Sequence, residues 1–517
     1  MVWTEWTDSI LDERAENCLM SGGDAQRVIV VGAGNAALVS ALAAHESGAD
    51  VIVLEAAGYE ERGGNSRFSG AIFRFAHDGI DSIMPLLTES ARAEVERAQV
   101  AAYPREDYLA DCLAMSAGRA DPELTELFVD RSYDTVRWMR DVGVQFELTT
   151  EKFIDAAVIA SGEKFTLTPG GAMRAIEEGV GLVQNLLDAA ETAGIEVRYN
   201  APVHKLLTSG SSVLGVQVRR KDSFEDIEGV VVLACGGFEA NPEARMRYLG
   251  PGWDLVKVRG TRFNLGNVLF ETLAAGAAPS GHWGGCHASP QDLHAPATGD
   301  LALTDKMSRY SYPYGVLVNM LGERFVDEGE EQYLKTYAKT GAAINAQPQA
   351  RAVQIFDQKT LHLLEPRYDT GTPVTADTVA ELADLVGIDA EALERTIDEF
   401  NAATPEGEFD PFSKDGLTTG GQVVPSKSNW ALPIDKPPFV AYEVACGITF
   451  TYGGLKVDTE SRVLDQVGVP MPGLYATGEI AGGFFYHNYA GGSGLMRGAV
   501  CGRIAGTNAA QDAAGRA

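Results

Sequence analysis

Gly32-Ala33-Gly34 runs directly into Asn35, Ala36 and Ala37, and an acid, Glu55, lies 21 residues beyond Gly34. This spacing suits a dinucleotide. The first glycine permits a tight turn, the second lets the backbone close on a pyrophosphate, and a small third residue lets helix pack on strand. The acid then accepts hydrogen bonds from a ribose hydroxyl. A second set of residues could move protons or hold anions. Tyr489 and His487 stand in the glycine-rich run 484–494, and Tyr333 in the acidic stretch 329–335. A phenol or an imidazole can exchange a proton with a substrate. Arg262 and Lys427, with Arg259 and Arg67 behind them, are the candidate anion holders. Each cation reads equally as half of a surface ion pair, because acids are plentiful on this chain. Tyr489 has two open roles, polarising a carbonyl or carboxylate, or tying down a neighbouring loop. His487 likewise reads as functional or as structural. His282 and His287 flank Trp283-Gly284-Gly285-Cys286, but no carboxylate completes a metal set, and no metal is expected. Tyr312 and Tyr314 are expected to anchor a second domain, with one phenol free to reach the pocket.

These side chains need elements to position them. Residues 27–31 form a continuous apolar run of the kind a central parallel strand requires. An Ala-rich helix over 35–47 and a second buried strand over 49–55 complete a βαβ unit. The Gly-, Ser- and Arg-rich segment 58–78 reads as a loop. Helical periodicity follows from about 80 to 145, notably over 121–142, and Gly170-Gly171 is expected to open a helix running to Gly194. Short strands at 195–199, 201–207, 213–220 and 229–233 suggest an antiparallel excursion that returns to the main sheet. Residues 260–430 carry more aromatics, Pro and His, with one helical stretch at 375–402. The expected fold is α/β, a Rossmann-like nucleotide domain with an inserted α+β capping domain. The division is 26–259, the insertion 260–430, and a return segment 431–517.

The 517 residues, 45% hydrophobic, suffice for a large core and exceed one ordinary domain. The net charge of −30 argues against nucleic acid and anionic membrane as partners. No run approaches the ~20 apolar residues of a membrane span. The first residues lack the basic and apolar regions of a signal peptide, so residues 1–19 read as an upstream extension or a surface helix. Six scattered cysteines without a paired spacing point to reduced thiols and a cytoplasmic location, and give no iron–sulfur motif.

Several further segments favour FAD over a nicotinamide cofactor. Gly63, Gly64, Asn65 and Ser66, with Gly70 nearby, offer N–H groups and small polar side chains for a second phosphate or a flavin edge. Val203, within the strand expected over 201–207, is a further candidate, and Ala234, Cys235 and Gly236 end another strand in Gly-Gly. Near the C-terminus come Gly478 and Glu479, then Ser493, Gly494 and Leu495 in the glycine-rich run 491–498 ahead of a helix. A nicotinamide domain is usually complete in one contiguous stretch, whereas this chain returns to its nucleotide site after a long insertion.

Segments 32–37 with Glu55, 63–66, 234–238, 315–325 and 473–479 together resemble the fumarate reductase/succinate dehydrogenase flavoprotein superfamily, across about residues 26–510. Within it, 241–243, 248–254, 257–264, 447–456 and 484–494 look most like FAD-dependent tricarballylate dehydrogenases. The resemblance implies non-covalent FAD and an active site between the flavin and a cap. It implies hydride transfer at flavin N5, with a proton handled on the neighbouring carbon. The chain also departs from the dicarboxylate reductases. Residues 329–335 hold no arginine, Phe450 stands where a histidine precedes their Gly-Gly, and Asn488 is followed by Tyr489. Leu265-Gly266-Asn267-Val268 departs from the tricarballylate enzymes as well. No histidine lies between Glu55 and His77 to carry a covalent flavin. Tyr489-Ala490-Gly491 is similar to 3-ketosteroid dehydrogenases, where a phenol and a backbone N–H polarise a ketone.

The leading expectation is a dehydrogenase that introduces a C=C bond beside a carboxylate in a small polycarboxylate. Tyr333, Tyr489 or His487 would be the base, and a separate electron acceptor would be needed. The alternatives are a flavin desaturase or reductase of a cyclic ketone or other carbonyl compound, or an FAD-binding scaffold without turnover.

Overall fold

A computed structural model describes residues 27–150 and 162–516. The expectation for residues 1–19 lies outside these. Two large sheets organise the chain. The first has six strands in the order Arg462–Leu464, Pro470–Ala476, Val230–Leu233, Arg27–Val31, Asp50–Leu54, Glu196–Arg198. All neighbours are parallel except the outermost pair, 462–464 with 470–476. Its centre is continuously apolar because both faces are covered. Val28, Ile29 and Val30 are fully buried, each such side chain worth roughly 1.5–3 kcal/mol of burial.

The helix Asn35–Glu46 follows the first strand, and the C-terminal helix Ser493–Arg516 packs along it. Small residues set that approach. A Cβ at Gly506 would lie 2.1 Å from the Ser40 carbonyl, and one at Gly502 2.8 Å from that of Ala36. The helix after the glycine turn is thus packed directly on the last described helix. The antiparallel excursion is a three-stranded sheet of Val203–Ser209, Ser212–Arg219 and Phe224–Glu228.

The second sheet runs Lys257–Val258, Phe439–Leu455, Arg351–Phe356, Val316–Asn319, with Pro279–Asp292 and Val374–Ala376 also paired to the long strand 439–455. Val353, Ile355, Leu382, Ile397 and Phe400 form its core against two helices. The boundary expected at residues 430/431 therefore falls inside this unit. Strand 439–455 belongs to the second sheet, and the first sheet is regained only at Arg462. The largely apolar character of that strand hides which sheet it serves.

Other elements also differ from expectation. Gly170-Gly171 lies in a short turn followed by strand Met173–Ala175, and the helix spans Glu178–Thr192. The 375–402 stretch is a strand end plus two helices, Val379–Val386 and Ala390–Ala403, divided where Gly387 takes φ 78°. A left-handed residue there ends a helix in the usual way. Among the described residues, no helix is long and apolar enough to cross a membrane.

Candidate functional site

The glycine turn between the first strand and helix opens a deep cleft. Gly32 sits at φ 106°, and a Cβ there would lie 2.6 Å from the Ala234 carbonyl, so strand ends 31 and 234 close tightly around it. Gly34 precedes the helix in an extended conformation without a side-chain cap. The first N–H groups of the helix are therefore aimed into the cleft with the positive end of its dipole, as an anionic phosphate requires. The Asn35 N–H donates to Ser66 Oγ at 2.9 Å, and Asn35 Nδ2 donates to the Leu495 carbonyl at 2.9 Å, joining three distant segments. Asn35 Oδ1 is buried without a donor among the described residues.

Glu55, at the end of the second strand, is buried and accepts the Ala57 N–H at 2.8 Å. Burial pushes its carboxyl above the usual range, with backbone N–H groups at Ala57 and Ala33 opposing that shift. Further along, Gly236 is at φ 77°, and a Cβ on Gly237 would lie 2.2 Å from Glu479 Oε1, so the backbone here is open only to glycine.

The cleft is lined by Gly32, Gly34, Asn35, Ala36, Glu55, Gly64, Asn65, Ser66, Val203, Ala234, Cys235, Gly236, Gly478, Glu479, Gly494 and Leu495. Gly70 lines the adjoining cavity instead. Gly63 and Ser493 stand behind the wall. Gly63 turns the loop at φ 104° against Val183, and Ser493 Oγ accepts the Tyr108 hydroxyl at 3.0 Å. A helix N-terminus, a buried acid one strand away and two glycine-only approaches fit an FAD.

The adjoining cavity shares Ser69, Arg259, Tyr489 and Leu495 with the cleft. It is lined by phenols. The hydroxyls of Tyr337 and Tyr489 lie 2.5 Å apart, and both rings are buried. The Tyr310 ring lies 4.8 Å from that of Tyr337, tilted by 54°, and Tyr333 donates to Glu365 Oε1 at 2.9 Å. Burial pushes the Tyr489 phenol up, while the Tyr337 hydroxyl and the Arg259 charge pull it back.

His287 packs edge-on against both phenols, at 4.9 and 5.0 Å, and stacks on Phe450 at 5.2 Å. It is fully buried with neither ring nitrogen bonded among the described residues. Burial first, then the Arg259 charge, hold it well below the usual imidazole range, so it is neutral at pH 7.

Two arginines face this cavity, and both are paired. Arg259 bonds Asp305 and donates to Thr449 Oγ1 at 2.9 Å. Arg367 bonds Asp305 at 3.1 Å and Glu365 at 3.3 Å, and lies over the Tyr310 ring. Two guanidiniums against two carboxylates leave no formal net charge in this group.

Arg262, Lys427 and His487, all singled out from the sequence, are not brought here. Arg262 is exposed and bonds Glu61 at 2.7 Å, a surface pair worth roughly 0–1 kcal/mol. Lys427 is buried in the second unit, where Nζ donates to the Gly315 carbonyl at 2.6 Å and lies over Phe400. His487 is exposed at φ 62°, with its ring 4.6 Å from that of His282 and its N–H on His282 Nδ1. Charge and loop context suggested these residues, but neither reports which way a side chain faces. Arg67 is half-buried and donates to the Glu60 carbonyl. Tyr312 meets Thr336, and Tyr314 donates to the Pro411 carbonyl, both within the second unit. Tyr337, Tyr310 and Asp305 carry no motif, and sequence reasoning missed them. His287 drew notice only as a rejected metal ligand.

Burial lowers the Lys427 ammonium to about 8. A cation whose pKa falls on folding opposes folding below that value, and the penalty is relieved as pH rises towards the free-lysine range. The melting temperature of the wild type relative to Lys427→Met is therefore expected to rise between about pH 8 and pH 10.5, checked by calorimetry. Equal pH slopes would contradict this placement.

The fold and cleft together define a flavin-nucleotide protein built on a parallel sheet. Residues 27–495 match the family described as FAD binding domain, and the chain belongs to that family. It is 27% identical to the probable fumarate reductase Ifc3 of Shewanella frigidimarina, with 98% of this chain and 79% of the relative covered. A 3-oxosteroid 1-dehydrogenase of Mycobacterium tuberculosis is 27% identical over 62% of this chain and 60% of its own. The solved open conformation of a flavocytochrome c3 fumarate reductase superposes with TM-score 0.68 at 25% identity, over 99% of this chain and 83% of that one. The chain is an FAD-dependent oxidoreductase of the fumarate reductase/succinate dehydrogenase flavoprotein superfamily, a class that works on CH–CH groups.

Proposed function

We propose that this enzyme oxidises or reduces the carbon–carbon bond beside a carbonyl group, in a substrate that carries little or no net negative charge. FAD, held on Gly32, Gly34, Asn35 and Glu55, supplies the hydride acceptor or donor. Tyr489 and Tyr337 carry the reading. Two phenols in contact can present one hydroxyl to a carbonyl oxygen while the other stabilises it, in a cavity shared with the flavin cleft. Hydrogen bonding that strengthens as charge develops on that oxygen is the effect an oxyanion site exploits. The proton on the neighbouring carbon then passes to or from a phenol oxygen, with Tyr337 the partner of Tyr489 and Tyr333, backed by Glu365, the other candidate.

The polycarboxylate expectation, drawn from the likeness of 447–456 and 484–494 to tricarballylate dehydrogenases, fits less well. Arg262 and Lys427 do not face the cavity, and Arg259 and Arg367 already hold Asp305 and Glu365. Two or three further carboxylates would enter with little to offset their desolvation. The 3-oxosteroid dehydrogenase relative supports a carbonyl substrate.

The test is a binding titration on the FAD-loaded protein, followed through the flavin spectrum. Cyclic ketones or enones are expected to perturb the spectrum and saturate. Saturation by tricarballylate or fumarate with no response to any carbonyl compound would overturn this reading.

A further inference from the structure

Two carboxyls meet at the wall of the cofactor cleft, Glu239 behind it and the half-buried Glu479 lining it. Glu239 is fully buried. Its Oε1 accepts Asn65 Nδ2 at 2.6 Å and Asn264 Nδ2 at 2.5 Å. Its Oε2 is buried as well and has no hydrogen-bond partner among the described residues, while the Glu479 carboxyl lies within reach of the Glu239 side chain. Glu479 Oε1 is already taken by the Thr451 N–H at 2.7 Å and its Oγ1 at 3.1 Å.

The cations nearby bond to neither carboxyl group among the described residues, although the Arg497 charge favours the ionised form of Glu479. Arg245 gives its guanidinium to the backbone carbonyls of Glu239, Trp253 and Asp254, and Arg497 donates to the Ala481 carbonyl at 2.8 Å. The neighbouring thiols stay protonated, because burial pushes Cys235 up to about 12 and Cys286 well above its usual range. Two ionised carboxylates in contact would repel, and each would lose its hydration.

We propose that Glu239 keeps its proton at neutral pH and donates it from Oε2 to Glu479, acting as a neutral positioning residue for the flavin nucleotide. Burial, and then the Glu479 charge, push the Glu239 carboxyl well above the usual range. The acid ties the cofactor loop to the second sheet. Asn65, which lines the cleft, gives Nδ2 to Glu239 and to the Thr449 carbonyl, and its Oδ1 accepts the Thr261 N–H at 2.8 Å. With Glu239 neutral, Oε1 holds Asn65 and Asn264 while Oε2 holds Glu479. A carboxyl whose pKa rises on folding contributes a stabilisation that is present at low pH and lost as pH rises through the folded value. Deprotonation would set two carboxylates against each other and push Glu479 away from the side chain that holds Asn65 and Asn264.

Glu239→Gln carries its N–H permanently, with its oxygen free for the two asparagines. The FAD dissociation constant should be measured from neutral to alkaline pH for the wild type, Glu239→Gln and Glu239→Ala, with circular dichroism to check folding. Wild-type affinity should fall by about tenfold or more on the alkaline side. Glu239→Gln should stay within about threefold of the neutral wild type and be flat with pH, whereas Glu239→Ala, leaving Asn65 and Asn264 without their acceptor, should bind at least about tenfold more weakly. Infrared spectroscopy of the FAD-loaded wild type should show a protonated-carboxyl stretch that Glu239→Gln removes. A wild-type spectrum with no such band, or a band unaltered in folded Glu239→Gln, would overturn the proposal. So would an alkaline fall that persists in Glu239→Gln, or folded Glu239→Gln binding FAD at least about tenfold more weakly at neutral pH.

Discussion

Tyr489→Phe is expected to lower turnover by about a hundredfold to ten-thousandfold while leaving bound FAD in place, the range that loss of one acid–base group produces. The substitution removes a single oxygen. That oxygen lies 2.5 Å from the Tyr337 hydroxyl, in the cavity that adjoins the flavin cleft. The ring itself stays packed against Phe450 and Phe485, so the fold keeps its contacts. Single-turnover kinetics on protein of matched flavin content separates the chemistry from binding. Tyr337→Phe should share most of the loss, because the two phenols act as one unit and their effects do not add. A Tyr489→Phe enzyme with wild-type turnover would remove the phenol pair from the reaction.

Gly32→Val should abolish FAD binding. A β-branched residue at φ 106° is strained by roughly 1–3 kcal/mol, and its Cβ would also strike the Ala234 carbonyl 2.6 Å away. The strand ends at 31 and 234 would have to part. This carries away the backbone that a pyrophosphate approaches and tilts the helix whose N-terminus points at it. The measurement is the flavin-to-protein ratio after purification, expected near zero, beside a melting temperature well below that of the wild type. The retained control is Gly48→Ala, also at positive φ but with open space around its Cβ, which should cost stability without loss of FAD.

The sequence made the nucleotide half of this molecule readable because local rules govern it. A buried apolar strand, a glycine turn and an acid at a set distance come within 30 residues of one another, and all line one cleft. Glu479 and Leu495 were also within reach, since their glycine-rich surroundings mark a close backbone approach. The cavity beside the flavin cleft was harder to read. Arg259, Asp305, Tyr310, Tyr337 and Tyr489 come from four separate segments, and no spacing links them. Lys427 and Arg262 illustrate the cost of reading charge without orientation, since one is buried on a backbone carbonyl and the other pairs with Glu61 at the surface. Strand 439–455 illustrates the same limit for topology. It is largely apolar, and only its partners reveal that it belongs to the second sheet.

The most direct measurement is anaerobic mixing of the FAD-loaded enzyme with a saturated cyclic ketone and, separately, with tricarballylate, while the oxidised flavin band is followed. The account predicts loss of that band with the ketone, slowed in Tyr489→Phe, and no loss with tricarballylate. If the flavin runs in the reducing direction, the same account predicts reoxidation of the reduced enzyme by the matching enone and not by the unsaturated tricarboxylate. Flavin reduction or reoxidation by the polycarboxylate pair alone, unaffected by Tyr489→Phe, would contradict it.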